Sequence, residues 1–252
     1  MAQLELLDPR WCQLKTLPGR AISAGDVADA DALLLRSVTR VDEQLLKHSA
    51  VRFVGTATIG TDHIDTGLLA RKGVGFAYAP GCNANAVVDY VLAAIFAEFS
   101  HGELARKRIG IIGCGNVGQR LLACLDHFGL RATVYDPLLQ PGVLAANYAC
   151  DEAGALDAVL NCDIVSLHVP LTESGEHATL GLLNAARLQR LPDGAMLLNT
   201  SRGEVIDNRA LTKVAQQRSD LRLVLDVFAQ EPQPSVALVK RANYATPHIA
   251  GY

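Results

Sequence analysis

The run Gly113-Cys114-Gly115-Asn116-Val117-Gly118 follows an apolar, strand-like stretch, Arg108–Ile112, and opens a helical pattern that continues to Phe128. Glycines at this spacing confine the chain to folds in which a buried parallel strand turns tightly into a helix. The first glycine makes the turn, the second lets backbone approach a pyrophosphate, and the third lets helix pack on strand. The helix start, with Asn116 and Val117, adds free N–H groups and the positive end of a dipole. The next apolar stretch, Ala132–Asp136, ends on an acid 18 residues beyond Gly118. A carboxylate there bonds ribose hydroxyls and repels a 2′-phosphate, which favours NAD over NADP. Gly113, Gly115, Asn116, Val117, Gly118 and Asp136 are therefore candidate NAD contacts. The competing account is an ordinary tight turn, with Asp136 capping a strand end before Pro137.

The rest of the chain alternates in the same way. Strands are expected at Ala32–Arg36, Val51–Ala57, Gly75–Ala79, Asp163–Val169, Ala195–Thr200 and Leu221–Val227 as well. Helices are expected at Asp42–His48, Ile64–Lys72, Ala86–Ser100, Val117–Phe128 and Asn208–Gln217. Near-continuous apolar strands between amphipathic helices predict an α/β protein with a doubly wound parallel sheet. The loop Ala79-Pro80-Gly81-Cys82-Asn83 marks a boundary between a small first domain, residues 1–83, and a larger second one, residues 84–252.

Half of the residues are hydrophobic and the formal charge is −3, which excludes disorder as the dominant state. Nine basic and nine acidic side chains precede Asn83 and 14 and 17 follow it, so neither part is a cation suited to nucleic acid. Ala86–Ala97 carries Asp89 and precedes Glu98, reading as a buried helix rather than a membrane span. Early acids at Glu5 and Asp8 argue against a secretory signal. Six cysteines without a C-x-x-C pair fit reduced, mostly buried thiols in the cytoplasm. No metal is expected: Asp62, His63 and Asp65 read as a helix start with Asp62 as the cap. His168 reads as a structural histidine, and Cys114 as a small packed side chain.

Three polar groups fall at the ends of predicted strands: Arg202 after Leu197–Ser201, Glu231 after Leu225–Phe228, and His248 after Ala245-Thr246-Pro247. In an open parallel sheet such ends converge on the crevice where a nucleotide binds. A guanidinium grips a substrate carboxylate in bidentate fashion, an imidazole takes a hydroxyl proton, and a carboxylate orients the imidazole. That set suits oxidation of a 2-hydroxy acid. Each residue also has a plain reading: a surface arginine, a solvated loop charge and a turn histidine.

The glycine loop with Asp136, and the runs Asn199–Asp207, Asp226–Glu231 and Pro247–Gly251, resemble the D-isomer-specific 2-hydroxyacid dehydrogenase family. Leu17–Ile22, Leu35–Val41, Phe53–His63, Ala79–Ala84 and His248–Tyr252 resemble, within it, a subfamily acting on a phosphorylated 2-hydroxy acid. The resemblance implies a Rossmann-like NAD domain with a smaller flavodoxin-like α/β substrate domain. It implies Arg202, Glu231 and His248 as catalytic residues and Ser37, Thr58 and Tyr252 as substrate contacts. It also adds Val169, Thr200, Ser201, Asp226 and Gly251 as NAD contacts, Val169 through its backbone because relatives often carry threonine there. Arg36 and Arg40 are candidates for the phosphate, with helix-facing salt bridges the competing reading. Full-length relatives are expected to be homodimers. Met1–Lys15 matches relatives poorly and the chain stops at Tyr252, so it is expected to be shortened at both ends, leaving the first domain incomplete. Alternatives are a dehydrogenase for glycerate or 3-phosphoglycerate, or a catalytically silent NAD-binding protein.

Overall fold

The structure is a computed structural model that describes residues 10–252; Glu5 and Asp8 lie outside the described residues. The chain divides into two compact units between Pro80 and Gly81. This division lies three residues before the boundary expected from the sequence. Gly81 sits against the Asn116 side chain and Asn83 against Gly251, so both belong with the later residues.

Among the described residues the first unit carries three parallel strands in the order β1 (Ala32–Leu35), β2 (Phe53–Thr56) and β3 (Gly75–Tyr78). Two helices connect them. In α1 (Glu43–Leu46), Asp42 caps the start by accepting from the Leu45 amide at 3.0 Å; in α2 (Thr66–Lys72), Asp65 accepts from the Leu68 amide at 2.7 Å. The expectation that Asp62 caps this helix is corrected. Ile64 forms a bridge with Val41 that keeps the chain extended, so the helix starts beyond it and Asp65 becomes the cap. Gly73, at φ 67°, ends α2 in the left-handed conformation that glycine adopts without strain.

The second unit is a seven-stranded parallel sheet with helices α3 (Ala84–Glu98), α4 (His101–Leu104), α5 (Asn116–His127), α6 (Leu156–Val159), α7 (Ala185–Gln189), α8 (Asn208–Gln217) and α9 (Val236–Arg241). Its strands are β4 (Ile109–Ile112), β5 (Ala132–Tyr135), β6 (Cys150–Glu152), β7 (Ile164–Leu167), β8 (Met196–Asn199), β9 (Arg222–Leu225) and β10 (Tyr244–Ala245). The order is β10-β9-β8-β7-β4-β5-β6, so connections run outward in both directions from β4. Residues of β4, β7 and β8 are buried throughout, and alternate side chains feed two separate cores. Ile111, Met196 and Leu198 join α3 (Ala84–Glu98) and α5 (Asn116–His127) on one face. Ile112, Leu167 and Leu197 join α8 (Asn208–Gln217) on the other. A two-faced parallel sheet needs this continuous apolarity. α3 departs from the expected buried helix: Val87, Val88, Val91 and Ile95 are buried, but Asp89 and Phe96 are exposed. Among the described residues no helix is long and apolar enough to cross a membrane.

Candidate functional site

The glycine loop leaves β4 at the point where the strand order reverses, beside the end of β7. Gly113 has φ 87°, and a Cβ there would meet the His168 carbonyl oxygen at 2.6 Å and Val169 Cγ1 at 2.7 Å. A Cβ on Gly118 would run into the Gly113 carbonyl oxygen, so the third glycine is what seats α5 against its strand. Gly115 differs, because a Cβ there would meet nothing within 4 Å. That open side, over the amides that begin α5 at Asn116, is the shape a pyrophosphate requires.

Asp136 leaves the end of β5 and grips the same loop: Oδ2 accepts from the Cys114 amide at 2.8 Å and Oδ1 from the Leu138 amide at 3.0 Å. Burial, and then the nearby Asp136 charge, push the Cys114 thiol up to about 12, so it is an inert packed group. Thr200 supplies a further polar point. Its Oγ1 is buried without a hydrogen-bond partner at the end of β8, a group a bound cofactor can satisfy. Ser201, next to it, spends its hydroxyl proton on Asn199 Oδ1 at 2.8 Å, which leaves it an acceptor. Together these residues fit a dinucleotide.

The three strand-end groups occupy neighbouring loops. After β8, Arg202 donates from Nη1 to the Ser201 carbonyl at 2.8 Å, and Gly203 presses against the backbone of Phe228 and Ala229. Any Cβ at Gly203 would overlap that backbone, so glycine is what brings the loop after β8 onto the loop after β9. Glu231 Oε1 accepts from the Phe228 amide at 3.1 Å, and Oε2 lies 2.9 Å from His248 Nδ1. An ionised carboxylate only accepts, so Nδ1 carries the proton and Nε2 is left to exchange one. His248 itself is at φ 59°, and its amide donates to the Asp226 carbonyl at 2.8 Å. Gly203 and this backbone conformation are parts of the site that residue types alone did not disclose; the dipeptide Arg202-Gly203 was the available clue.

Asp226 is 1% exposed. Its carboxylate holds the loop after β10, accepting from the Ile249 amide at 2.8 Å and the Ala250 amide at 2.9 Å. Gly251 closes on Asn83. Ser37 and Thr58 follow β1 and β2 in the first unit, whereas Tyr252 belongs to the second. Thr58 Oγ1 donates to the Gly60 carbonyl at 2.7 Å, so the 2.8 Å contact with Thr56 places Thr58 as acceptor. Thr56 in turn accepts from His63 Nε2 at 3.1 Å. Arg40 pairs with Asp42 at 3.6 Å on an exposed surface, and His168 Nε2 sits 2.9 Å from Ser166 Oγ. Among the described residues no group of three His, Cys, Asp or Glu side chains could hold a metal ion.

Residues 85–250 match the family model described as D-isomer specific 2-hydroxyacid dehydrogenase, NAD binding domain. The chain is 48% identical over 245 residues to erythronate-4-phosphate dehydrogenase of Azotobacter vinelandii, covering 95% of this chain and 62% of that protein. It is 47% identical over 242 residues to the enzyme of the same name from Pseudomonas fluorescens, again covering 95% and 62%. This chain thus spans less than two thirds of the length of these relatives. Among solved structures, D-lactate dehydrogenase of Aquifex aeolicus, complexed with NAD and lactic acid, aligns with a TM-score of 0.83 at 25% identity. That alignment covers 99% of this chain and 85% of the other. An NAD-bound 3-phosphoglycerate dehydrogenase from Entamoeba histolytica aligns with a TM-score of 0.75 at 27% identity, over 90% and 74% of the two chains. With a glycine loop shaped for a dinucleotide and a family match running from Asn85 to Ala250, this chain belongs to the D-isomer-specific 2-hydroxyacid dehydrogenases and carries their NAD-binding domain.

Proposed function

We propose that this chain oxidises 4-phospho-D-erythronate to its 2-oxo acid, as a step of pyridoxal phosphate biosynthesis. The observation that carries the reading is the Glu231–His248 pair at 2.9 Å, held on loops that follow adjacent strands. NAD, when bound, supplies the hydride acceptor. His248 Nε2 takes the substrate hydroxyl proton, and Glu231 holds the ring in orientation while stabilising the imidazolium that forms. Arg202 turns its guanidinium from the Ser201 carbonyl to the substrate carboxylate. Gly113, Gly115, Asn116, Val117, Gly118 and Asp136 hold the dinucleotide, joined by Val169, Thr200, Ser201, Asp226 and Gly251. Ser37, Thr58 and Tyr252 meet the substrate, and Arg36 takes its phosphate. In this reading residues 1–83 serve as the substrate domain and the working form is a homodimer.

The test is NADH formation with 4-phosphoerythronate, 3-phosphoglycerate and glycerate, in the wild type and in His248→Ala. Turnover of 4-phosphoerythronate that His248→Ala abolishes, with NAD binding retained, supports the reading. Preference for another acid overturns the substrate, and turnover indifferent to His248→Ala overturns the mechanism. NAD binding without turnover of any acid points to a silent binding protein.

A further inference from the structure

His248 is a non-glycine residue in left-handed backbone, a strained conformation that persists only where its surroundings enforce it. The enforcement comes from Asp226. Its carbonyl accepts from the His248 amide, and its carboxylate from the next two amides, so the rotation of one buried side chain sets the course of residues 248–250. A carboxylate turns readily about its last bond. Here it does not turn freely, because Thr246 Oγ1 donates to Oδ1 at 2.7 Å. A threonine hydroxyl has one proton, so the 2.6 Å contact between Thr246 Oγ1 and Tyr90 Oη must run the other way, with the phenol donating. Burial pushes the Tyr90 phenol up from its usual 10, which keeps that donor protonated. The chain of donors is thus Tyr90 to Thr246 to Asp226, each bond polarising the next. Asn83, the cap residue just before α3 and seven residues before Tyr90, packs its Nδ2 against Gly251 at the far end of the loop.

We propose that Tyr90 and Thr246 are positioning residues that lock the Asp226 carboxylate and thereby hold His248 Nδ1 on Glu231. This rests on the reading of His248 as the proton acceptor, but its test does not. In the full chain, the His248 Nδ1 proton bonded to Glu231 gives a downfield proton resonance, assigned by its loss in Glu231→Gln. Thr246→Val and Tyr90→Phe each move or broaden that resonance, and Thr246→Ser, which keeps the hydroxyl, restores it. Where the wild type turns over substrate, kcat falls about tenfold or more in Thr246→Val, a larger change than in the KM for the hydroxy acid, as expected when reacting groups are misplaced. Tyr90→Phe removes a single oxygen and carries the test should Thr246→Val not fold. A lowered melting temperature with an unmoved resonance in both variants would overturn the proposal. Absence of turnover in the wild type would count against the activity and leave the resonance to decide.

Discussion

Gly115 and Gly118 stand three residues apart in one turn and answer to opposite constraints. Alanine at Gly118 would strike the Gly113 carbonyl oxygen, a backbone atom that cannot swing away, whereas alanine at Gly115 would enter open space. Gly118→Ala should therefore destabilise the second unit by about 2 kcal/mol or more, and Gly115→Ala by less than about 0.5 kcal/mol, in urea unfolding. NAD affinity, measured by fluorescence titration, should nevertheless fall in Gly115→Ala, because the methyl group occupies the pyrophosphate's approach. A second residue-scale effect concerns pH. Desolvation lowers the His168 pKa from 6.5 to about 4, so between those values the unfolded chain binds a proton that the native one refuses. Stability from this group is intact above pH 6.5 and is lost as pH falls towards 4, by up to about 3 kcal/mol. The fall in urea midpoint across that window should be smaller in His168→Gln than in the wild type.

At the scale of elements, capping carboxylates set where helices begin. Asp207 Oδ1 accepts from the Arg209 and Ala210 amides at 2.9 and 3.0 Å at the start of α8, whose Leu211 and Val214 are buried against the sheet. Asp207→Ala should cost about 1 kcal/mol, read from thermal or urea unfolding. The long elements were legible because their periodicity spans several turns, as in α5 and α8, or because four consecutive residues are buried, as in β7. The short ones were not. β6 is Cys-Asp-Glu and β10 is Tyr-Ala, segments that become strands only by pairing with β5 and β9. The four-residue α6 (Leu156–Val159) likewise owes its helical form to packing of Leu156 and Val159 in the core rather than to a local pattern.

At the scale of the whole molecule, the apolar clusters respect the division between Pro80 and Gly81. One cluster runs from Val27 to Leu69 with Val74 and Phe76 packed on it, and the other two begin at Val87 and Ile112. Residues 81–252 contain two of these clusters whole, as far as the described residues go, so this unit produced alone should fold. The checks are a circular-dichroism spectrum and a cooperative melt, together with NAD affinity within about threefold of the full chain. A non-cooperative melt would show that the second unit depends on the first.

The linear order of residues determined which chemistry was available: a glycine spacing for a dinucleotide, an acid after the next strand, and an arginine, a glutamate and a histidine behind apolar runs. These are local patterns, and local sterics and hydrogen bonding suffice to read them. Only the tertiary structure decided that β8, β9 and β10 lie side by side, that Gly203 lets one loop rest on the next, and that Glu231 meets His248. Strand order and loop contact are chosen by burying two faces of one sheet at once, a sum over distant residues that no short window of sequence contains.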